Sequence, residues 1–220
     1  MDRQDMKIIY EWDTDYRSMW ERQREWQQSL IDGAGEPLIV CTEHKPVYTL
    51  GRHGHAENML HLPDGVECIR IDRGGDITYH GPGQLVVYPI VSLHALKLGV
   101  KAYVDILEQA VIDTLSHWGV RGERVEGATG VWIGKGSSRE RKVCAIGVKV
   151  SRGVTMHGLA LCVCNPLEPF HAINPCGFVD KGVTTLHREL EDAVEPPSLR
   201  QVAECLATRL SELLTSGRKG

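Results

Sequence analysis

The run Arg73-Gly-Gly-Asp-Ile-Thr-Tyr-His-Gly-Pro-Gly-Gln84 passes directly into Leu85-Val86-Val87-Tyr88-Pro89. No other segment limits the fold of this chain so strongly. Gly74, Gly75, Gly81, Gly83 and Pro82 impose an irregular backbone, because glycine permits positive φ and close approach of a ligand to the main chain. Bare amides in such a loop can donate to a carbonyl or an oxyanion. Arg73, Tyr79 and His80 add polar side chains. No Gly-Lys-Ser/Thr follows, so the run is not a Walker loop. It opens a strand rather than a helix, so it is not a dinucleotide fingerprint. From these residues alone it is either a pair of structural turns or a binding loop.

The remaining pattern predicts helices at both ends and in the middle, with strands between them. Tyr16, Met19, Trp20, Trp26 and Leu30 recur at helical spacing between Asp15 and Ile31, with Asp13, Thr14 and Asp15 available as caps. Val100 to Trp118 carries one apolar face through Tyr103, Ile106, Leu107, Ala110, Val111, Leu115 and Trp118. Ser198 to Leu214 is amphipathic. Strand-like segments are 37–42, 47–50, 67–72, 84–90, 121–125, 130–133, 142–150 and 154–163, and Ser151-Arg152-Gly153 reads as a hairpin turn between the last two. Regular βαβ alternation is missing. The expectation is therefore an α/β fold of the α+β-like kind, a single domain over residues 1–220 with a mixed sheet flanked by helices.

A length of 220 residues suits one full core, and a net charge of −4 gives no general attraction to nucleic acid or anionic membrane. The first residues are acidic and lack a signal-like apolar run, which points to a cytoplasmic protein without a membrane anchor. Seven cysteines make an odd set without a CxxC, so neither a disulfide framework nor a paired zinc site is expected. Cys176 stands in Asn174-Pro175-Cys176-Gly177, where a proline approach and a glycine exit would present a side chain with little crowding. Taken alone, it reads as a buried loop thiol or a nucleophile.

The Arg73–Gln84 motif resembles the signature of the lipoyl(octanoyl) transferases, which move an octanoyl group from acyl carrier protein to protein lysines. The likeness runs from about Glu43-His44-Lys45-Pro46 to about Leu186. Pro175-Cys176-Gly177 is similar to the family's nucleophile motif, so the resemblance makes Cys176 the acyl-thioester carrier. Lys142-Val-Cys-Ala-Ile-Gly147 is similar to the motif holding the catalytic lysine, which falls on Lys142. Thr155-Met-His157-Gly158-Leu159-Ala160-Leu161 is similar to the family's His-Gly-hydrophobic-Ala-Leu stretch, although Cys162 stands where asparagine is common. The resemblance further implies acyl contacts from Arg73, Gly74, Gly75, Asp76, Ile77, Thr78, Tyr79 and His80. It adds Ala145, Ile146, Gly147, Gly158, Leu159 and Ala160. His157 either orients groups in the site or is a hydrogen-bonded core histidine.

The implied fold is that of the biotin and lipoate protein ligase catalytic domains, and the implied chemistry uses no cofactor and no metal. The implied donor is octanoyl-acyl carrier protein. The implied acceptors are apo lipoyl domains of 2-oxoacid dehydrogenase E2 subunits and the glycine cleavage H protein. A free cysteine titrates near about 8.5, and lowering it to about 7 takes roughly 2 kcal/mol, within reach of one close ammonium. Lys135, Arg139, Arg141, Lys142, Lys149 and Arg152 outnumber Glu140 between Val131 and Arg152. That run either steers acidic partners or is a solvated loop. Competing readings are an ATP-dependent lipoate or biotin ligase, an amidotransferase working between lipoyl domains, and a non-catalytic module that holds carrier protein.

Overall fold

Strands that are apolar at both parities need cover on both faces, and the fold supplies it. The structure is a computed structural model that describes residues 6–174 and 182–216. Its strands are β1 (Lys7–Thr14), β2 (Leu38–His44), β3 (Val47–Leu50), β4 (Cys68–Arg70), β5 (Ile77–His80), β6 (Gln84–Ile90), β7 (Glu123–Val125), β8 (Ala128–Ile133), β9 (Arg141–Ser151), β10 (Val154–Cys162) and β11 (Gly182–Val183). Its helices are α1 (Tyr16–Ile31), α2 (Leu93–Leu96), α3 (Val100–His117), α4 (Leu186–Glu189) and α5 (Leu199–Ser216).

Among the described residues eight strands form the main sheet, in the order β1-β2-β6-β10-β9-β8-β7, with β11 added alongside β9. The β1–β2 and β11–β9 pairs are parallel and the other pairs antiparallel, so the sheet is mixed as expected. A second sheet, β4-β3-β5, stands beside it. The glycine-rich run is thus two loops around a strand, because β5 lies inside it and pairs with β3. Strand β1 was also illegible in the sequence. It pairs with β2 alone, so its residues are only half buried and its alternation is weak.

Period-two alternation sorts the core. Ile39, Cys41, Leu85, Val87, Leu159 and Leu161 face α3 and α5. Their neighbours Leu38, Val40, Val86, Tyr88 and Ala160 face α1 with Met19. Asp15 caps α1 by accepting from the Ser18 amide at 2.9 Å. The β9–β10 turn takes positive φ at Arg152 (47°) and Gly153 (77°), the pair of angles that matches strand twist in a two-residue hairpin. Among the described residues no helix is long and apolar enough to cross a membrane.

The stability of the α3 layer is testable. Leu107→Ala removes a fully buried side chain from the core between α3 and the sheet. It should lower urea-unfolding stability by about 2–5 kcal/mol. Val100→Ala, at a position 49% exposed, should leave stability within about 0.5 kcal/mol of the parent.

Candidate active site

The face of the sheet that carries α1 opens into a cavity of about 940 Å³, within the range of small-ligand pockets, about 300–1,000 Å³. Lys142 reaches its wall through a local irregularity. In β9, Cys144 pairs with Val131 and Lys142 pairs with Trp132, so Val143 is an extra residue on β9. Val143 and Cys144 both lie in the core beneath α3 and α5, which a regular strand would forbid. The bulge therefore turns Lys142 to the cavity face, the same face as Ala145 and Gly147. Gly130 allows this with φ 120°, because a Cβ there would stand 2.4 Å from the Cys144 carbonyl oxygen. The Lys142 Nζ sits 4.6 Å from the centroid of the Trp132 ring, whose indole N–H donates to the Ala128 carbonyl at 2.9 Å.

The glycine-rich run meets the cavity through a polar chain. Arg73 donates from Nη2 to the Thr49 carbonyl at 2.7 Å and to Thr49 Oγ1 at 2.9 Å. The Gln84 amide carbonyl accepts from His80 Nδ1 at 2.8 Å, which leaves His80 Nε2 to accept from Thr49 Oγ1 at 3.3 Å. Gln84 Nε2 in turn donates to the Tyr79 carbonyl at 3.1 Å and to Cys162 Sγ at 3.6 Å. Position 162 therefore makes a polar contact, and sulfur accepts it at long range. Beside this chain, His44 Nε2 lies 2.7 Å from the Tyr88 hydroxyl, and the Tyr16 ring stacks on His80 at 5.7 Å.

Beneath the other side of the cavity His157 takes φ 60° in the middle of β10. Extending the pairing of Leu159 with Val87 by two residues puts Pro89 opposite His157. Proline has no N–H to offer there. The His157 amide donates instead to Gln23 Oε1 of α1 at 3.0 Å. Its ring Nε2 donates to Asp72 Oδ1 at 2.8 Å, and Lys149 Nζ donates to Asp72 Oδ2 at 2.6 Å. Burial raises the Asp72 carboxyl, but these two donors outweigh it and hold the group below the usual carboxylate range. Burial also pushes His157 down, more than Asp72 pulls it up, so the ring is neutral.

The sequence-derived residues fall into four groups. Arg73, Gly75, Asp76, Ile77, Thr78, His80, Lys142, Ala145, Gly147, His157, Gly158 and Ala160 all line the one cavity. Ile146 and Leu159 also line it, while their side chains pack with the core on the opposite face of the sheet. Gly74 and Tyr79 are not on its wall. The Gly74 amide bonds the Val148 carbonyl at 3.0 Å, and Tyr79 packs with Tyr48 and Phe170. Cys176, with Pro175 and Gly177, lies outside the described residues.

The basic run is divided. Arg141 pairs with Glu189, Lys149 with Asp72, and Arg152 donates to Gln28. Lys135 and Arg139 are exposed between β8 and β9. Tyr16, Tyr88 and Trp132, which also line the cavity, and Asp72, which holds the His157 ring, were not legible as site residues, since only contacts between elements far apart in the chain bring them together.

Six cysteines lie among the described residues, and burial raises every one of their thiols: Cys41 to about 12, Cys162 to about 11, and Cys68, Cys144, Cys164 and Cys205 above the ordinary value. No group of three metal-ligating side chains occurs among the described residues.

Residues 15–211 match the lipoyl protein ligase A/B catalytic domain. The chain is 48% identical over 214 residues to an octanoyltransferase of Bacteroides thetaiotaomicron, covering 92% of this chain and 94% of that one. In three dimensions it resembles a bipartite lipoate protein ligase from Thermoplasma acidophilum, with a TM-score of 0.71 and 16% identity over 96% of this chain and 84% of that one. A biotin protein ligase from Aquifex aeolicus follows with a TM-score of 0.56 and 14% identity, over 99% of this chain and 73–76% of such ligase chains, 74% for this one. At such identities the likeness establishes the fold.

Burial lowers His44 to about 4 and His80 to about 3 from an ordinary 6.5. Each stays neutral in the fold and binds a proton on unfolding, so its contribution is complete above pH about 6.5 and is lost as pH falls. The loss should run at about 1.4 kcal/mol per pH unit for each ring, down to the folded value. Thermal midpoints should therefore drop between pH 7 and pH 5 (about two units spanning the histidine range), and His44→Gln should make that drop shallower. A midpoint independent of pH across this window would contradict the neutral, buried assignment.

Proposed function

The chain belongs to the lipoyl protein ligase A/B catalytic family and, within it, to the lipoyl(octanoyl) transferases, which are acyltransferases; on that premise we propose that it transfers octanoyl from acyl carrier protein to apo lipoyl domains through a thioester on Cys176. The observation that carries this reading is the placement of Lys142 on the cavity wall by the Val143 bulge. Asn174 and Gly182, the described residues on either side of the segment bearing Cys176, line the same cavity, and Val183 pairs with Lys142. Burial raises the thiols of the six described cysteines, which supports Cys176 over them for the reactive role.

The reaction has two halves. The Cys176 thiolate attacks the octanoyl thioester carbonyl, the carbonyl electrons move onto oxygen, and backbone amides at the glycine-rich loop stabilise the oxyanion. The intermediate collapses, the carrier thiolate leaves and takes its proton from the Lys142 ammonium, and octanoyl remains on Cys176. The neutral amine of a lipoyl-domain lysine then attacks that thioester. Lys142, neutral at this stage, accepts the amine proton as the amide forms, and the Cys176 thiolate is released. The first half exchanges one thioester for another, and the second is downhill because an amide is more stable than a thioester. Alternate small residues on the cavity face, Ala145, Gly147, Gly158 and Ala160, leave room for the alkyl chain. A side chain at Gly158 would stand 2.1 Å from the Val87 carbonyl oxygen, so that wall cannot be built from larger residues.

Two measurements test the reading. Incubation with octanoyl-carrier protein should add one octanoyl mass to the protein, and Cys176→Ser should abolish the adduct. Persistence of the adduct in that variant would overturn the nucleophile assignment. Lys142→Ala should move the alkylation-rate profile of Cys176 to higher pH and cut turnover by about 100-fold or more. An unchanged profile would remove Lys142 from thiol activation.

A further inference from the structure

We infer that Trp132 is a positioning residue for Lys142, and that its ring face holds the ammonium at the cavity wall so that charge is available to the nucleophile. The inference rests on the reading of Lys142 as the activating lysine and extends it to a residue outside the motifs.

Three observations carry it. The Lys142 Nζ lies 4.6 Å from the ring centroid, inside the distance at which an aromatic face attracts a cation. The ring itself is fixed: it is 1% exposed, and its indole N–H donates to the Ala128 carbonyl, four residues earlier along β8, at 2.9 Å. Trp132 and Lys142 are also direct partners across β8 and β9, at the position where the bulge redirects Lys142. A lysine stem has four rotatable bonds and loses considerable freedom when its head is held. The bulge selects the face of the sheet and the ring selects the place of the ammonium on that face.

Other charged groups packed around this pair are engaged or set apart. Arg141 on β9 and Glu189 on α4 form an ion pair, while Glu108 on α3 accepts from Arg124 and from the Gly130 amide. Arg188, Glu168 and His171 line the same cavity, and Cys144 faces the opposite core. The aromatic face is a contact on β8 that favours a charged Lys142 over a neutral one. It favours the ammonium, and an ammonium nearby favours the Cys176 thiolate.

The test replaces Trp132 with site-specifically incorporated mono-, di- and tetrafluorotryptophan, which drain the negative ring face while keeping the indole shape and its N–H. The rate of Cys176 alkylation is followed against pH by peptide mass spectrometry for each protein. Alkylation at neutral pH should fall stepwise with fluorination, reaching about 3-fold or more in the tetrafluoro protein. Trp132→Leu should fall at least as far, and Trp132→Phe should recover part of the loss. In the Lys142→Ala background the fluorination series should be flat. A flat series in the parent, with Lys142→Ala still shifting the profile, would overturn the role of Trp132 and leave that of Lys142 standing. A profile unmoved by Lys142→Ala would instead overturn the reading on which this inference rests.

Discussion

Val143 adds one residue to β9 between the pairings of Lys142 with Trp132 and Cys144 with Val131, and the chemistry of the cavity depends on that addition. On an unbroken strand Lys142 would share parity with Cys144 and Ile146 and point into the core beneath α3 and α5. An ammonium there, without a carboxylate, would cost several kcal/mol in desolvation. The bulge exchanges that position for Val143, which suits an apolar core, and moves the charge to the cavity face. Gly130 on β8 leaves room for the displaced Cys144 carbonyl. β11 then adds to the same part of β9, with Val183 against Lys142.

Around this point the fold builds a polar surround in which the buried histidines stay uncharged. His44, His80 and His157 are all buried, and burial lowers the proton affinity of each. Arg73, Thr49, His80 and Gln84 form an ordered donor-to-acceptor chain that ends at Cys162. Asp72 stays ionised between His157 and Lys149. Such fixed, hydrogen-bonded groups are preorganised, which suits the stabilisation of a developing oxyanion. The strained backbone at His157, opposite Pro89, persists because Gln23, Asp72 and the two flanking strands all hold it.

Local pattern was sufficient for the long helices and for the strands of the central sheet. Apolar residues at helical spacing located α1, α3 and α5 within a residue or two, since each buries one face along its whole length. Strand β6 was legible because both its faces are covered and nearly every residue is apolar. Strand β5 was hidden by the glycines on either side of it, and β1 by its exposure at the sheet edge. Ile146 and Leu159 carry the same lesson: both belong to motifs by sequence, yet parity turns their side chains to the opposite core.

The amino-acid sequence by itself determined the elements, their amphipathic faces and the motif residues that a lipoyl(octanoyl) transferase shares, because those are properties of short stretches. Only tertiary structure decided which of these residues meet. The α1 crossing brings Tyr16 to the cavity and Gln23 to the His157 amide, the chain after β4 brings Arg73 to the cavity and Asp72 to the His157 ring, and one bulge brings Lys142 round to the same wall. Each of these placements depends on contacts between residues far apart in the chain, and no local spacing encodes them.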